Sequence, residues 1–90
     1  MKAIVWSKYH CPYCDQAKAW LDKNHIQYEV LDISRDPTAR EFLIDSGHKT
    51  VPQIYVQGQL LVEGGFSGLS KQDPQQLREQ INAIKHNHSA

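Results

Sequence analysis

Lys2-Ala3-Ile4-Val5-Trp6-Ser7, a polar break at Lys8-Tyr9-His10, and then Cys11-Pro12-Tyr13-Cys14 make a short apolar run that leads into a CxxC pair. The run over 2–7 has the length and continuity of a buried strand, and the polar residues after Trp6 stop it. Pro12 suits the first turn of a helix, where its missing N–H is no loss, and Ala17, Trp20 and Leu21 recur at helical spacing. That helix is expected to end near Asn24, as a left-handed cap. A CxxC at such a junction puts its first sulfur at a helix N-terminus, where unpaired N–H groups and the helix dipole favour an anion.

Downstream, residues 27–33 alternate polar and apolar, with Tyr28, Val30 and Ile33 marking a strand that Leu31 blurs. Asp36 is a good N-cap, Pro37 suits the first helical position, Phe42 and Leu43 supply an apolar face, and Gly47 suits the position past the last turn. Residues 53–57 and Leu60-Leu61-Val62 read as two strands of a hairpin around Gly58. Gly64-Gly65 reads as a loop. Asp73-Pro74 repeats the cap-and-proline signal, Leu77, Ile81 and Ile84 share one helical face, and the tail after Lys85 is expected to be loose. The order strand, helix, strand, helix, strand, strand, helix lets the first two strands run parallel through a crossover and the last two antiparallel. It predicts an α/β fold of the minimal thioredoxin-like layout (βαβαββα), a four-stranded mixed sheet flanked by three helices.

Ninety residues suit a single domain over 1–90 with a modest core, since so short a chain buries only roughly 60% of its unfolded surface. The ten basic and ten acidic side chains are interspersed and cancel, leaving no electrostatic footprint for nucleic acid. The apolar start is too short for a signal-peptide core or a membrane span, so the expected setting is the cytoplasm. A neutral surface without a heptad pattern makes a monomer the default. Two cysteines are too few for the framework of a small secreted domain, and a Cys11-Cys14 bond closes too short a loop to be a useful staple. Chemistry explains the pair better.

A thiol of pKa near 8.5 is only about 3% ionised at pH 7, whereas one lowered to about 6 is roughly 90% ionised. The gain is partly offset because nucleophilicity falls with pKa. Cys14, one turn further on and on the same face, is expected to be the more buried and to attack a mixed disulfide formed at Cys11. That cycle needs no metal and no tightly bound cofactor. Two plainer readings compete. A zinc half-site would need ligands from His86 and His88 in the tail or from His10, His25 and His48, which lack ligand spacing and read as surface residues. Two inert buried cysteines are the other, against which Pro12 and the helix-start position argue.

With Thr50-Val51-Pro52 and Gly64-Gly65-Phe66 downstream of Cys11-Pro12-Tyr13-Cys14, the chain resembles the glutaredoxin family over almost all of its length. The resemblance implies a glutathione-dependent thiol-disulfide oxidoreductase acting on protein disulfides and glutathione mixed disulfides, with ribonucleotide reductase a candidate target. Cys11 is then the nucleophile, Cys14 the resolving thiol and glutathione the co-substrate. The resemblance also implies a cis Val51-Pro52 bond opposite Cys11, a bond type for which cis costs only about 0.5–1 kcal/mol. The implied glutathione site is Lys8, Tyr13, Thr50, Val51, Pro52, Gly65, Phe66 and Ser67. In it Lys8 faces the glycine carboxylate, Val51 pairs with the cysteinyl backbone, and N–H groups near Gly65 and Ser67 take the γ-glutamyl carboxylate.

One departure from the family pattern stands at Ser67, where many members carry an aspartate that pairs with the γ-glutamyl ammonium. An exposed ion pair is worth at most about 1 kcal/mol, so weaker glutathione binding is expected rather than none. Relatives lacking that acid include glutaredoxin-like donors to ribonucleotide reductase that thioredoxin reductase recharges, which is the alternative expectation. A module holding a glutathione-ligated two-iron, two-sulfur cluster is disfavoured by the stiffness of Pro12 and the competing Cys14. Tyr9, His10 and Phe66 are expected to form an apolar rim for partner docking.

Overall fold

The computed structural model describes the backbone of residues 3–89 and the side chains of residues 3–84. Its elements are β1 (Ala3–Ser7), α1 (Pro12–Lys23), β2 (Tyr28–Asp32), α2 (Pro37–Asp45), β3 (Gln53–Val56), β4 (Gln59–Leu60), α3 (Gly65–Ser70) and α4 (Pro74–Ser89). The strands form one sheet in the order β2-β1-β3-β4, with β1 parallel to β2 and antiparallel to β3, and β3 antiparallel to β4. β1 and β3 are the interior strands, covered on both faces, which is why their sequences are nearly unbroken apolar runs. β2 lies at an edge and leaves Val30 exposed, so not every apolar position over 27–33 meets a core. Leu31 does, packing with Ile33 beneath α2.

Successive strand residues serve opposite faces of the sheet. Ala3, Val5, Ile54 and Val56 meet Leu21 of α1, Leu69 of α3 and Leu77 of α4 in the main core. Ile4, Trp6 and Tyr55 turn to the other face, where Ala39, Phe42 and Leu43 of α2 complete a smaller cluster. Trp6 stacks on Phe42 there with ring centroids 4.6 Å apart. Two apolar faces per sheet and one per helix thus give a three-layer arrangement, and the Cys11 end of α1 emerges at the edge of the layers where β1 ends and β3 begins.

Local chemistry fixes the helix ends. Asp36 accepts the N–H groups of Thr38 and Ala39, and past the end of α2 Gly47 turns left-handed at φ +85. The Gly47 and His48 N–H groups then close on the Ile44 and Leu43 carbonyls. α1 closes in the same way, but the left-handed residue is His25 (φ 57) and not Asn24. Asn24 keeps φ −100 and instead spends its side-chain amide on the Trp20 carbonyl.

Three elements differ from the sequence reading. Gln57 (φ 54) and Gly58 (φ 76) form a two-residue turn with positive φ at both positions, which sets Val56 opposite Gln59 and makes β4 Gln59–Leu60 rather than 60–62. Gly64-Gly65 is not a plain loop but opens α3, so among the described residues four helices flank the sheet where three were expected. α4 runs on to Ser89, past the expected end at Lys85, with no proline or glycine to break it. Lys2, expected to start the first strand, and the side chains of His86 and His88 lie outside the described residues. Among the described residues no helix is long and apolar enough to cross a membrane.

Candidate active site

Cys11 is the N-cap of α1. Its extended backbone (φ −116, ψ 101) swings Sγ over the first turn, where it accepts the Cys14 N–H at 3.2 Å. Pro12 takes the first helical position, where no donor is needed. Cys14 is joined to Cys11 as a disulfide with Cα atoms 5.2 Å apart. Cys14 is 1% exposed and Cys11 7%, so the expected resolving sulfur is the deeper of the two.

The chain reaches Cys11 through a turn in which His10 is left-handed at φ 56. Ser34, from the loop after β2, tethers that turn by accepting the Tyr9 N–H at 3.2 Å. Its hydroxyl proton is given to the Asp32 carboxylate, which also accepts the Ser34 backbone N–H at 2.9 Å. A carboxylate cannot donate, so the order of donors is fixed from Tyr9 through Ser34 to Asp32. The Ser34 hydroxyl and then its N–H hold the Asp32 carboxyl below the usual carboxylate range.

Opposite Cys11 the Val51-Pro52 peptide is cis, as the resemblance implies, and the Val51 carbonyl oxygen lies 3.9 Å from Cys11 Sγ. Gln53 holds this segment from below, its buried amide donating to the Thr50 carbonyl at 3.0 Å. Gly65 backs Pro52 so closely that a Cβ there would sit 2.9 Å from the Pro52 carbonyl oxygen. Gly68 is tighter still, with the Glu63 carbonyl oxygen 1.7 Å from where its Cβ would be. The glycines of this segment are therefore needed for close approach as well as for turning the chain.

A cavity of about 570 Å³ opens beside Val51, with Lys8, Arg40, His48, Lys49 and Thr50 in its wall. The structure thus brings Lys8, Thr50 and Val51 together. Tyr13 is 60% exposed on the first turn of α1. Gly65 is buried against Pro52, Phe66 packs on the main core and Ser67 is exposed, none of them in the cavity wall. The predicted residues therefore fall into two groups that share the Val51-Pro52 segment. Tyr9 and His10 do meet, with ring centroids 3.9 Å apart and planes tilted by 52°, whereas Phe66 is turned to the core and does not complete the expected rim.

Sequence reasoning missed Ser34, Arg40, Lys49 and Gln53, and it read His48 as a surface residue. His48 is half-buried, with Nε2 2.6 Å from the Tyr55 hydroxyl. The one available signal was Gln53, a polar residue inside an otherwise apolar strand.

Residues 3–61 match the family model described as Glutaredoxin. The chain belongs to the glutaredoxin family. The match takes in Cys11, Cys14 and Val51-Pro52 but ends at Leu61, short of the nearly full-length resemblance, so the Gly64–Ser67 segment lies outside it. Glutaredoxin 3 of Escherichia coli (strain K12) is 39% identical over 56 residues, which cover 61% of this chain and 68% of that protein. The solution structure of a glutaredoxin from Brucella melitensis matches with a TM-score of 0.63 and 32% identity, covering 78% of this chain and 75% of that one. A dithiolic glutaredoxin from Trypanosoma brucei brucei matches with a TM-score of 0.67 and 26% identity, covering 89% and 84%. As a glutaredoxin this chain is a thiol oxidoreductase of thioredoxin-like fold, and Cys11 and Cys14 form its redox pair.

Proposed function

We propose that this glutaredoxin reduces protein disulfides and glutathione mixed disulfides, drawing electrons from glutathione, as a cytoplasmic monomer. The observation that carries the reading is the Cys14 N–H directed at Cys11 Sγ at the start of α1. In the dithiol form the same N–H and the unpaired helix terminus favour a thiolate at Cys11. That thiolate attacks one sulfur of the substrate disulfide, the substrate S–S bond breaks, and the departing thiolate takes a proton from water. On a protein disulfide, the Cys14 thiolate then attacks Cys11 Sγ, releases the second substrate thiol and closes the Cys11-Cys14 bond. Two glutathione thiols reopen that bond in turn and leave as glutathione disulfide, so two electrons pass in each half-reaction. On a glutathione mixed disulfide, Cys11 takes the glutathionyl sulfur and a second glutathione removes it, which leaves Cys14 dispensable.

Glutathione in this reading lies along Val51, whose backbone pairs with its cysteinyl residue, with Thr50 and Pro52 shaping the same edge. Lys8 meets the glycine carboxylate, Tyr13 flanks the sulfur, and the N–H groups around Gly65, Phe66 and Ser67 meet the γ-glutamyl end. Ser67 favours a second reading. With no acid there for the γ-glutamyl ammonium, the protein acts as a dedicated donor, to ribonucleotide reductase among others, recharged by thioredoxin reductase. The test is NADPH-coupled reduction of a glutathione mixed disulfide, with glutathione and glutathione reductase in one arm and thioredoxin reductase alone in the other. Turnover only with glutathione, lost in Cys11→Ser and kept in part by Cys14→Ser, is the expected result. Turnover only with thioredoxin reductase, lost in both variants, would replace the first reading by the second.

A further inference from the structure

Gln53 is the polar exception in β3, 6% exposed in an interior strand whose four residues are all buried. Burying an amide costs stability unless its hydrogen bonds offset the loss of water, so its partner shows what it is kept for. The Gln53 side-chain N–H donates to the Thr50 carbonyl at 3.0 Å, with the Thr50 hydroxyl oxygen 3.4 Å away. Thr50 itself is exposed, where water can serve a carbonyl, so the bond is not needed merely to satisfy that oxygen. What it fixes is a direction. The Thr50-Val51 peptide is planar and trans, which sets the Thr50 carbonyl and the Val51 N–H on opposite sides of one rigid unit. With the carbonyl drawn to Gln53, the Val51 N–H points away from the buried amide, and among the described residues no hydrogen bond takes it. The start of the segment is anchored separately, by His48 Nε2 at 2.6 Å from the Tyr55 hydroxyl and by the His48 N–H on the Leu43 carbonyl. The tilt of the Thr50-Val51 peptide is therefore set by Gln53.

We infer that Gln53 is a positioning residue for disulfide exchange, holding the Val51 N–H toward the carbonyl of the substrate's reacting cysteine. The inference rests on the reading above, in which a cysteinyl residue pairs with the Val51 backbone beside Cys11. In strand-like pairing each side gives one N–H and offers one carbonyl. The Val51 carbonyl oxygen lies at the reacting sulfur, 3.9 Å from Cys11 Sγ, and Gln53 governs the other half of the pair, the Val51 N–H. A donor held in place before the substrate arrives loses no freedom when it binds. Gln53 thereby favours disulfides that carry a peptide carbonyl next to the reacting cysteine, in glutathione and in proteins alike, over small disulfides that lack one.

The test compares two uncharged disulfides, that of N-acetylcysteine methylamide, which has the cysteinyl carbonyl, and that of N-acetylcysteamine, which keeps the N–H but lacks that carbonyl. Each is reduced in single turnover by the pre-reduced full-length protein, one disulfide giving two thiols as the Cys11-Cys14 bond closes, and the released thiol is followed by chromatography. Each rate is divided by the rate with dithiothreitol, which removes the difference in intrinsic reactivity. The wild type is expected to favour the carbonyl-bearing disulfide about fivefold, the size of one uncharged hydrogen bond. In Gln53→Met, which keeps the length and loses the donor, the preference falls below about twofold, while the pH midpoint of Cys11 alkylation stays at its wild-type value. Gln53→Asn, which draws the amide back from Thr50 by one methylene, gives the same loss and supplies the comparison if the Met variant does not fold. A preference that survives in the folded variants would overturn the assignment of Gln53 and leave the Val51 pairing standing. No preference in the wild type would overturn the pairing itself, and the inference with it. A shifted alkylation midpoint in the variants would also overturn the inference, because Gln53 would then act on the thiolate and not on recognition.

Discussion

The two halves of the candidate site are built on opposite principles. Around Cys11 the geometry comes from side chains: a sulfur that caps α1, a hydroxyl tethered between Tyr9 and Asp32, and a buried amide that holds Thr50. Around Gly65 it comes from the lack of side chains, with Gly65 pressed on Pro52 and Gly68 on Glu63. The first half lies within the part of the chain that matches the glutaredoxin family, and the second lies beyond Leu61. The redox pair Cys11 and Cys14 lies in the first half, and the second half carries the proposed contacts to the γ-glutamyl end.

That contrast is open to attack at several strengths. Replacing Cys11 with Ser is expected to reduce disulfide turnover to the uncatalysed background, while Ser67→Ala changes the rate with glutathione by less than about twofold, because only one exposed polar contact is lost. A comparable loss from both would abolish the division of labour. Gly68→Ala is expected to lower stability by about 2–3 kcal/mol in a denaturant titration, since the new Cβ meets a backbone oxygen that no rotamer change can move. Gly47→Ala, also at positive φ but with open space around it, should cost only about 1 kcal/mol. Ser67→Asp should improve glutathione use by up to about fivefold, the equivalent of about 1 kcal/mol for an exposed pair. An unchanged or lower rate would mean that the γ-glutamyl end lies elsewhere.

The smallest effect concerns the tether. The Asp32 carboxyl titrates below its unfolded value, so its contribution to stability is present above about pH 4 and is lost as pH falls through the depressed folded value. Ser34→Ala removes the hydroxyl that is the first cause of the shift, and the Asp32 titration followed by NMR should move up toward the ordinary range. The Tyr9 amide should exchange faster in the same variant, because its acceptor is gone. No change in either signal would remove Ser34 from the account of how the Cys11 turn is held.

Much of the fold is legible in the sequence because its signals are local. The apolar runs of β1 and β3, and the aspartate-proline starts of α2 and α4, each state their own element. α3 is hidden because six residues containing Gly65 and Gly68 offer only Phe66 and Leu69 as apolar markers, and the reason for Gly68 is a carbonyl of the preceding turn. His25 takes the left-handed position from Asn24 because the preceding turn closes one residue later than composition suggests. In the site, Cys11, Cys14 and Pro52 announce themselves through a motif. Arg40 and Lys49 do not, since α2 and the loop after it reach Lys8 only through the packing of Phe42 and Leu43 under the sheet.

The most direct test of the central claim is the pH dependence of alkylation in the reduced protein, with peptide mapping to separate Cys11 from Cys14. If the Cys14 N–H and the start of α1 stabilise an anion on Cys11, that sulfur reacts first, with a midpoint below the value of about 8.5 for an ordinary thiol. The same midpoint should persist in Cys14→Ser, which keeps the backbone N–H. A midpoint near 8.5, or faster labelling of Cys14 than of Cys11, would contradict the assignment of Cys11 as the nucleophile.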